Sequence, residues 1–199
     1  MTLPSDKNQP ARSSVMLLAL AGLGSALFTV MVTLAGYSLR TSEGLDFGVA
    51  LAAYFVWYEG YRNSIKLLAF ICACIAAHRA AVLIAFPLLI VFASMSSDTI
   101  EMPILFGWGC VGAFIVLAAG IFLFSPRSVT WKSLAMVSLW SLGGGVLGAI
   151  AIVPDAVLQH RNNYPWFLLI WQPGAAMLLG LLLERERRAL PKPLLTSNS

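Results

Sequence analysis

Two adjacent side chains, His78 and Arg79, are the first candidates for chemistry, because they stand deep inside an otherwise apolar stretch. An ionisable group within a membrane span is costly unless it faces water, a partner or a ligand. An imidazole and a guanidinium sharing a polar cavity between helices would hold an anionic headgroup, a small anionic substrate or a proton. The plainer reading of Arg79 is a side chain that snorkels toward an interface. Any carboxylate partner has to come from Asp46, Glu59, Asp98 or Glu101, all at the ends of apolar runs. Pro87 and Pro173, the latter in Gln172-Pro173-Gly174, remove helix hydrogen bonds on their own segments. Interrupted helices line solute paths in carriers, so His78, Arg79, Pro87 and Pro173 form one candidate ligand site.

Other residue groups have simpler chemistry. Arg62 and Lys66 follow Glu59-Gly60, and Arg185, Arg187 and Arg188 close the last apolar stretch; both sets suit anionic lipid headgroups at a membrane surface. Gly144 and Gly148 form a Gly-x-x-x-Gly pair, which permits close backbone approach of two helices, within the chain or in a homodimer. Tyr54, Phe55, Trp57, Tyr58 and Tyr61 read as interfacial anchors. Cys72, Cys74 and Cys110 lie in apolar runs and lack paired metal-ligand spacing, and two histidines are too few for a histidine-rich centre. No metal and no cofactor is expected. Metalloprotease, nucleophile-elbow and phosphate-loop motifs do not occur in the chain.

These residues are positioned by membrane helices. Of 199 residues, 59% are hydrophobic and 11% charged, against about 45–50% and about 25% in soluble domains, which excludes an ordinary water-soluble globule. Segments 13–40, 102–126, 133–154 and 162–183 each supply the roughly 20 apolar residues that span a bilayer. Between Asp46 and Asp98, charges break the pattern. Gly60 and Asn63 carry turn chemistry whereas Ala76 to Ala81 does not, so the region divides near Gly60 into a second helix ending near Tyr58 and a third from Asn63 to about Met95, bent at Pro87. Six crossings then place ten Lys and Arg on one side and two on the other, with Arg79 unassigned. A seven-crossing division through His78 and Arg79 gives five against eight and puts the basic C-tail on the wrong side of the positive-inside tendency.

The expectation is an all-α, polytopic transmembrane bundle of about six crossings with both termini cytoplasmic. It comprises a polar tail over 1–13, a six-helix membrane domain over 14–184 and a basic tail of low order over 185–199. The net charge of +4 and pI near 9.2 follow from membrane orientation rather than nucleic-acid binding. Small size and short loops suggest a bacterial inner membrane. Gly22 with Gly24 and Gly107 with Gly109, together with the two prolines, faintly echo a three-plus-three inverted repeat. The sparse polar content of the spans points first to a non-catalytic accessory component with the lipid bilayer and a membrane protein or second copy as partners. A small carrier centred on His78 and Arg79 is the alternative, and a membrane enzyme using His78 or His160 a third.

Overall fold

In the computed structural model the described residues, 11–35, 43–91, 97–125, 130–151 and 164–188, form six α-helices and no strand. They are α1 (Ala11–Leu34), α2 (Glu43–Trp57), α3 (Ser64–Val91), α4 (Ser97–Phe124), α5 (Trp131–Ile150) and α6 (Tyr164–Arg188). Five are long and apolar enough to cross a membrane, and the sixth, α2, has a shorter apolar stretch at Gly44–Trp57. The chain is a multi-pass helical membrane bundle. Its apolar side chains point outward as well as inward, with Met31, Leu34, Leu83, Ile90 and Phe122 exposed on the outer surfaces of α1, α3 and α4. A lipid solvent permits that, because lipid tails are as apolar as the core.

Between Asp46 and Val91 the chain forms two helices, α2 and α3. His78 and Arg79 fall inside an unbroken α3, so no turn separates them from either neighbour. The turn sits at Gly60, whose φ of +66° is left-handed and strains any residue with a Cβ. There the Tyr61 N–H returns to the Phe55 carbonyl at 2.9 Å. Asn63 Oδ1 then accepts the Lys66 N–H at 3.1 Å and caps α3. Thr130 does the same for α5, its hydroxyl accepting from Ser133 N at 3.2 Å. The helix after Pro87 runs to Val91, and the segment expected to end near Met95 lies partly outside the described residues.

Two helices run past the limits expected for the membrane domain, although the apolar span of α1 begins at Ser14. α1 begins at Ala11, inside the stretch read as a polar tail, and α6 continues through Arg188, four residues past the expected edge of the membrane domain. Arg185, Arg187 and Arg188 stabilise that last turn because cations complement the negative end of the helix dipole, and Arg188 also pairs with Glu184 one turn earlier. Residues 189–199 lie outside the described residues.

Each helix packs on the next in sequence, α6 returns to α1, and α4 also touches α6 across the ring. Chain directions therefore alternate. Gly180 of α6 lies against Val15 and Leu18 of α1, which puts the start of α1 and the end of α6 at one end of the bundle, the basic end. Phe55, Phe70 and Phe124 form an aromatic core toward that end, with Phe55 and Phe124 stacked at 4.0 Å between ring centroids. The opposite half is packed backbone to backbone through glycine. A Cβ on Gly44 would stand 2.6 Å from the Cys74 carbonyl oxygen of α3. Gly144 and Gly148 lie against Gly109, Ala113 and Leu105 of α4, so this Gly-x-x-x-Gly pair packs within the chain.

Candidate functional site

One turn-by-turn stripe of α3, Cys74, Ala77, His78 and Ala81, faces inward, and successive residues of a helix diverge by about 100°. His78 is accordingly half-buried against the interior while Arg79 is exposed on the outer surface. The pair expected to share one cavity is split by the helix itself. Pro87 is also exposed, and Pro173 abuts Gly22 of α1. Neither proline, nor Arg79, lines the space that His78 faces.

That space is an interior cavity of about 30 Å³ bounded by α2, α3, α4 and α6. Small residues open it: Gly44 on α2, Ala77 and Ala81 on α3, and Gly112 on α4. Aromatic rings wall it, namely Phe47, Trp108, Phe167 and Trp171. Phe167 and Trp171 stack at 5.8 Å with an interplanar angle of 10°, and Trp108 meets Phe167 edge-on at 5.8 Å. Trp171 seats its ring on Gly112, where a Cβ would collide with it, and donates its indole N–H to the Gly109 carbonyl at 3.2 Å. One of the two indoles is thereby satisfied.

The other is not. Trp108 Nε1 is buried without a hydrogen-bond acceptor, and Gln172 Oε1, on a residue only 2% exposed, is buried without a donor. Each such orphan costs about 1–3 kcal/mol in a protein interior, and a membrane interior provides no bulk water to relieve it. The volume exceeds the roughly 10–15 Å³ that one water needs. Both residues line the cavity. No lining residue is a carboxylate, so the cavity has hydrogen-bonding polarity and an imidazole but no fixed negative charge.

The membrane acid expected only at helix ends is closer to the interior than its sequence position suggests. Asp46, half-buried near the start of α2, has Oδ2 3.3 Å from Thr29 Oγ1 of α1. Sequence reasoning also missed Gln172 and Trp108. The available signal for Gln172 was that it is an amide inside an apolar span, a feature overshadowed by the proline beside it.

Several basic residues at the basic end are engaged with the bundle. Lys66 Nζ and Tyr61 Oη both donate to the Leu123 carbonyl, each at 3.1 Å, where the last turn of α4 has carbonyls without helical donors. Arg187 grips Glu59 with both nitrogens at 3.0 and 2.7 Å, and Tyr54 donates to the same carboxylate at 3.2 Å. Arg62, Arg185 and Arg188 are exposed. The aromatic run before Gly60 is no uniform belt: Tyr54 and Phe55 are buried, whereas Trp57 is exposed, as is Trp131 near the same end. No group of three or more His, Cys, Asp or Glu among the described residues is arranged to hold a metal ion. His160 lies outside the described residues. No known protein family, no characterised protein and no solved structure matches this chain.

Proposed function

We propose that this protein is a multi-pass membrane carrier for a small polar solute, with the cavity at His78, Trp108 and Gln172 as its binding point. The observation that carries the reading is the pair of buried, unpartnered hydrogen-bonding atoms, a donor on Trp108 and an acceptor on Gln172, on two residues that both line a space of water size. At about 30 Å³ the cavity fits a molecule the size of water or ammonia. The excess of Lys and Arg at the end holding Arg62, Lys66 and Arg185 supports an orientation with that end in the cytoplasm. Small size and short loops favour a bacterial cytoplasmic membrane.

The test is stopped-flow light scattering on vesicles containing the purified full chain, with gradients of water, ammonia, urea and glycerol. Water or ammonia should equilibrate faster than in protein-free vesicles. Gln172→Leu should remove the gain, while Arg79→Leu, altering an exposed side chain, should retain it. Flux equal to that of empty vesicles, or undiminished in Gln172→Leu, sinks the carrier reading.

One observation favours the accessory-component reading. An open, apolar groove of about 400 Å³ lies between α4 and α5, lined by Phe114, Ala118, Phe122 and Leu134 among others, and it has the character of a seat for a partner's apolar segment. Gentle detergent extraction from native membranes followed by mass spectrometry would return a stoichiometric companion on this reading and a lone monomer or homodimer on the carrier reading.

A further inference from the structure

Helices α4 and α5 meet closely at one level and part at another. Leu105, Gly109 and Ala113 of α4 lie against Gly144 and Gly148 of α5, where no Cβ could be added without collision. Toward the basic end a groove opens between them, lined on α4 from Phe114 to Leu123 and on α5 by Ser133, Leu134 and Val137, all in its first two turns. It holds about 400 Å³, and among the described residues its lining is apolar apart from Ser133. Phe114 to Leu123 is a helical rise of about 14 Å, one half of a hydrocarbon core of about 30 Å. Ala113, where the two helices close, stands at the middle of the apolar span Glu101–Phe124. The groove is therefore a wedge one leaflet deep, shut near the bilayer centre and open toward the basic end.

We propose that this wedge binds an anionic phospholipid of the leaflet at the basic end, with one acyl chain in the groove and the headgroup at Trp131 and Lys132. A slender, flexible chain suits a space that ends halfway across the membrane. A partner's spanning helix, about 10–12 Å wide and running through the full thickness of about 30 Å, would lose the groove at the contact of Ala113 with Gly144. Apolar surface gains nothing here over bulk lipid, because lipid tails are as apolar as the groove. Selective retention therefore has to come from the headgroup. Trp131, 86% exposed, and Lys132, also exposed, directly precede Ser133 on the first turn of α5. An indole belongs at headgroup level, and an ammonium there attracts an anionic phosphate. Arg185 of α6 reaches the Met136 sulfur at 2.9 Å, one turn along α5 from Lys132, so a second cation stands at the same level. The groove shares no lining residue with the cavity at His78, and the lipid site does not rest on the carrier reading.

The experiment is native mass spectrometry of the purified full chain, titrated in detergent with phosphatidylglycerol or phosphatidylcholine of the same chain length. Phosphatidylglycerol should bind saturably and about fivefold more tightly, the increment expected of one basic residue near a membrane surface. Lys132→Gln should cancel that preference. Ala118→Trp, whose indole would fill the groove, should abolish saturable binding; should it fail to fold, Leu134→Trp fills the same space from α5. A photoreactive phosphatidylglycerol, with its reactive group at the end of an acyl chain, should label α4 near Phe114 and Ala118. Equal binding of the two lipids, a preference undiminished in Lys132→Gln, or labels confined to other helices overturns the site. A stoichiometric protein companion cross-linked through Phe122 in native membranes also overturns it, and assigns the groove to a partner.

Discussion

Adjacent glycines on α5 should respond to the same substitution with opposite signs. A Cβ on Gly143 would meet only Leu178 methyls at 3.5 and 3.7 Å, which is ordinary contact. A Cβ on Gly144 would stand 2.7 Å from the Gly109 carbonyl oxygen and nearer still to the Ala113 Cβ. Neither atom can swing aside, since one is backbone and the other is fixed to it. Replacing a mid-helix glycine by alanine gains about 0.5–1 kcal/mol by restricting the unfolded chain. Overpacking a close contact costs about 1–3 kcal/mol, and two immovable neighbours place Gly144 toward the upper part of that range. Gly143→Ala should thus stabilise by up to about 1 kcal/mol and Gly144→Ala destabilise by about 1–2 kcal/mol, a gap of roughly 2–3 kcal/mol, or about a hundredfold in the unfolding equilibrium. Reversible unfolding by SDS in mixed micelles, followed by tryptophan fluorescence, measures both. Equal stability of the two variants, or Gly144→Ala the more stable, would refute the inferred α4–α5 approach.

The pair Arg187–Glu59, with side chains 44% and 18% exposed, should contribute no more than about 1 kcal/mol and lose part of it in high salt; a double-mutant cycle with Glu59→Gln and Arg187→Gln that returns a large, salt-independent coupling would show that the end is buried in an assembly. Topology is checked by single cysteines at Gly60 and Asp155 in a background without Cys72, Cys74 and Cys110. These should label from opposite faces of the membrane, and labelling from one face would contradict the alternation of α3 through α5.

Much of the architecture was legible because membrane helices announce themselves by the absence of charge, and the one ambiguous region was settled by chemistry local to Gly60. What needed three dimensions was direction around each helix. His78 and Arg79 look like one anomaly in sequence, yet a rotation of about 100° per residue sends one inward and the other outward. The aromatic run from Tyr54 to Tyr61 looks like an interfacial belt for the same reason, although Phe55 is core. Asp46 reads as a helix-end charge until Thr29 is seen beside it. Gly44 and Gly48 form a small-residue pair on α2 that escaped notice beside the more obvious Gly144 and Gly148, and Glu59 meets Arg187 across 128 residues of sequence. The two prolines, similar in sequence, occupy dissimilar places: Pro87 is exposed near the end of α3, and Pro173 is packed on Gly22.

The two halves of the bundle obey different rules. Toward the basic end, polar groups find partners: Lys66 and Tyr61 share the Leu123 carbonyl, Glu59 takes Arg187 and Tyr54, and three phenylalanines join α2, α3 and α4. Toward the other end lie Ser25 Oγ, Trp108 Nε1 and Gln172 Oε1, all buried and all without a partner. Such groups are expensive in a membrane interior, and departures from otherwise consistent packing concentrate where function is exercised. The short helix α2 connects the halves. Its last turns are held by Phe55 and Tyr54, while its first turns carry Gly44 and Phe47 on the cavity. Those first turns also pack backbone to backbone on α3 through Gly44 and Gly48, so the unfilled polar groups are walled by close contacts rather than by a loose helix end.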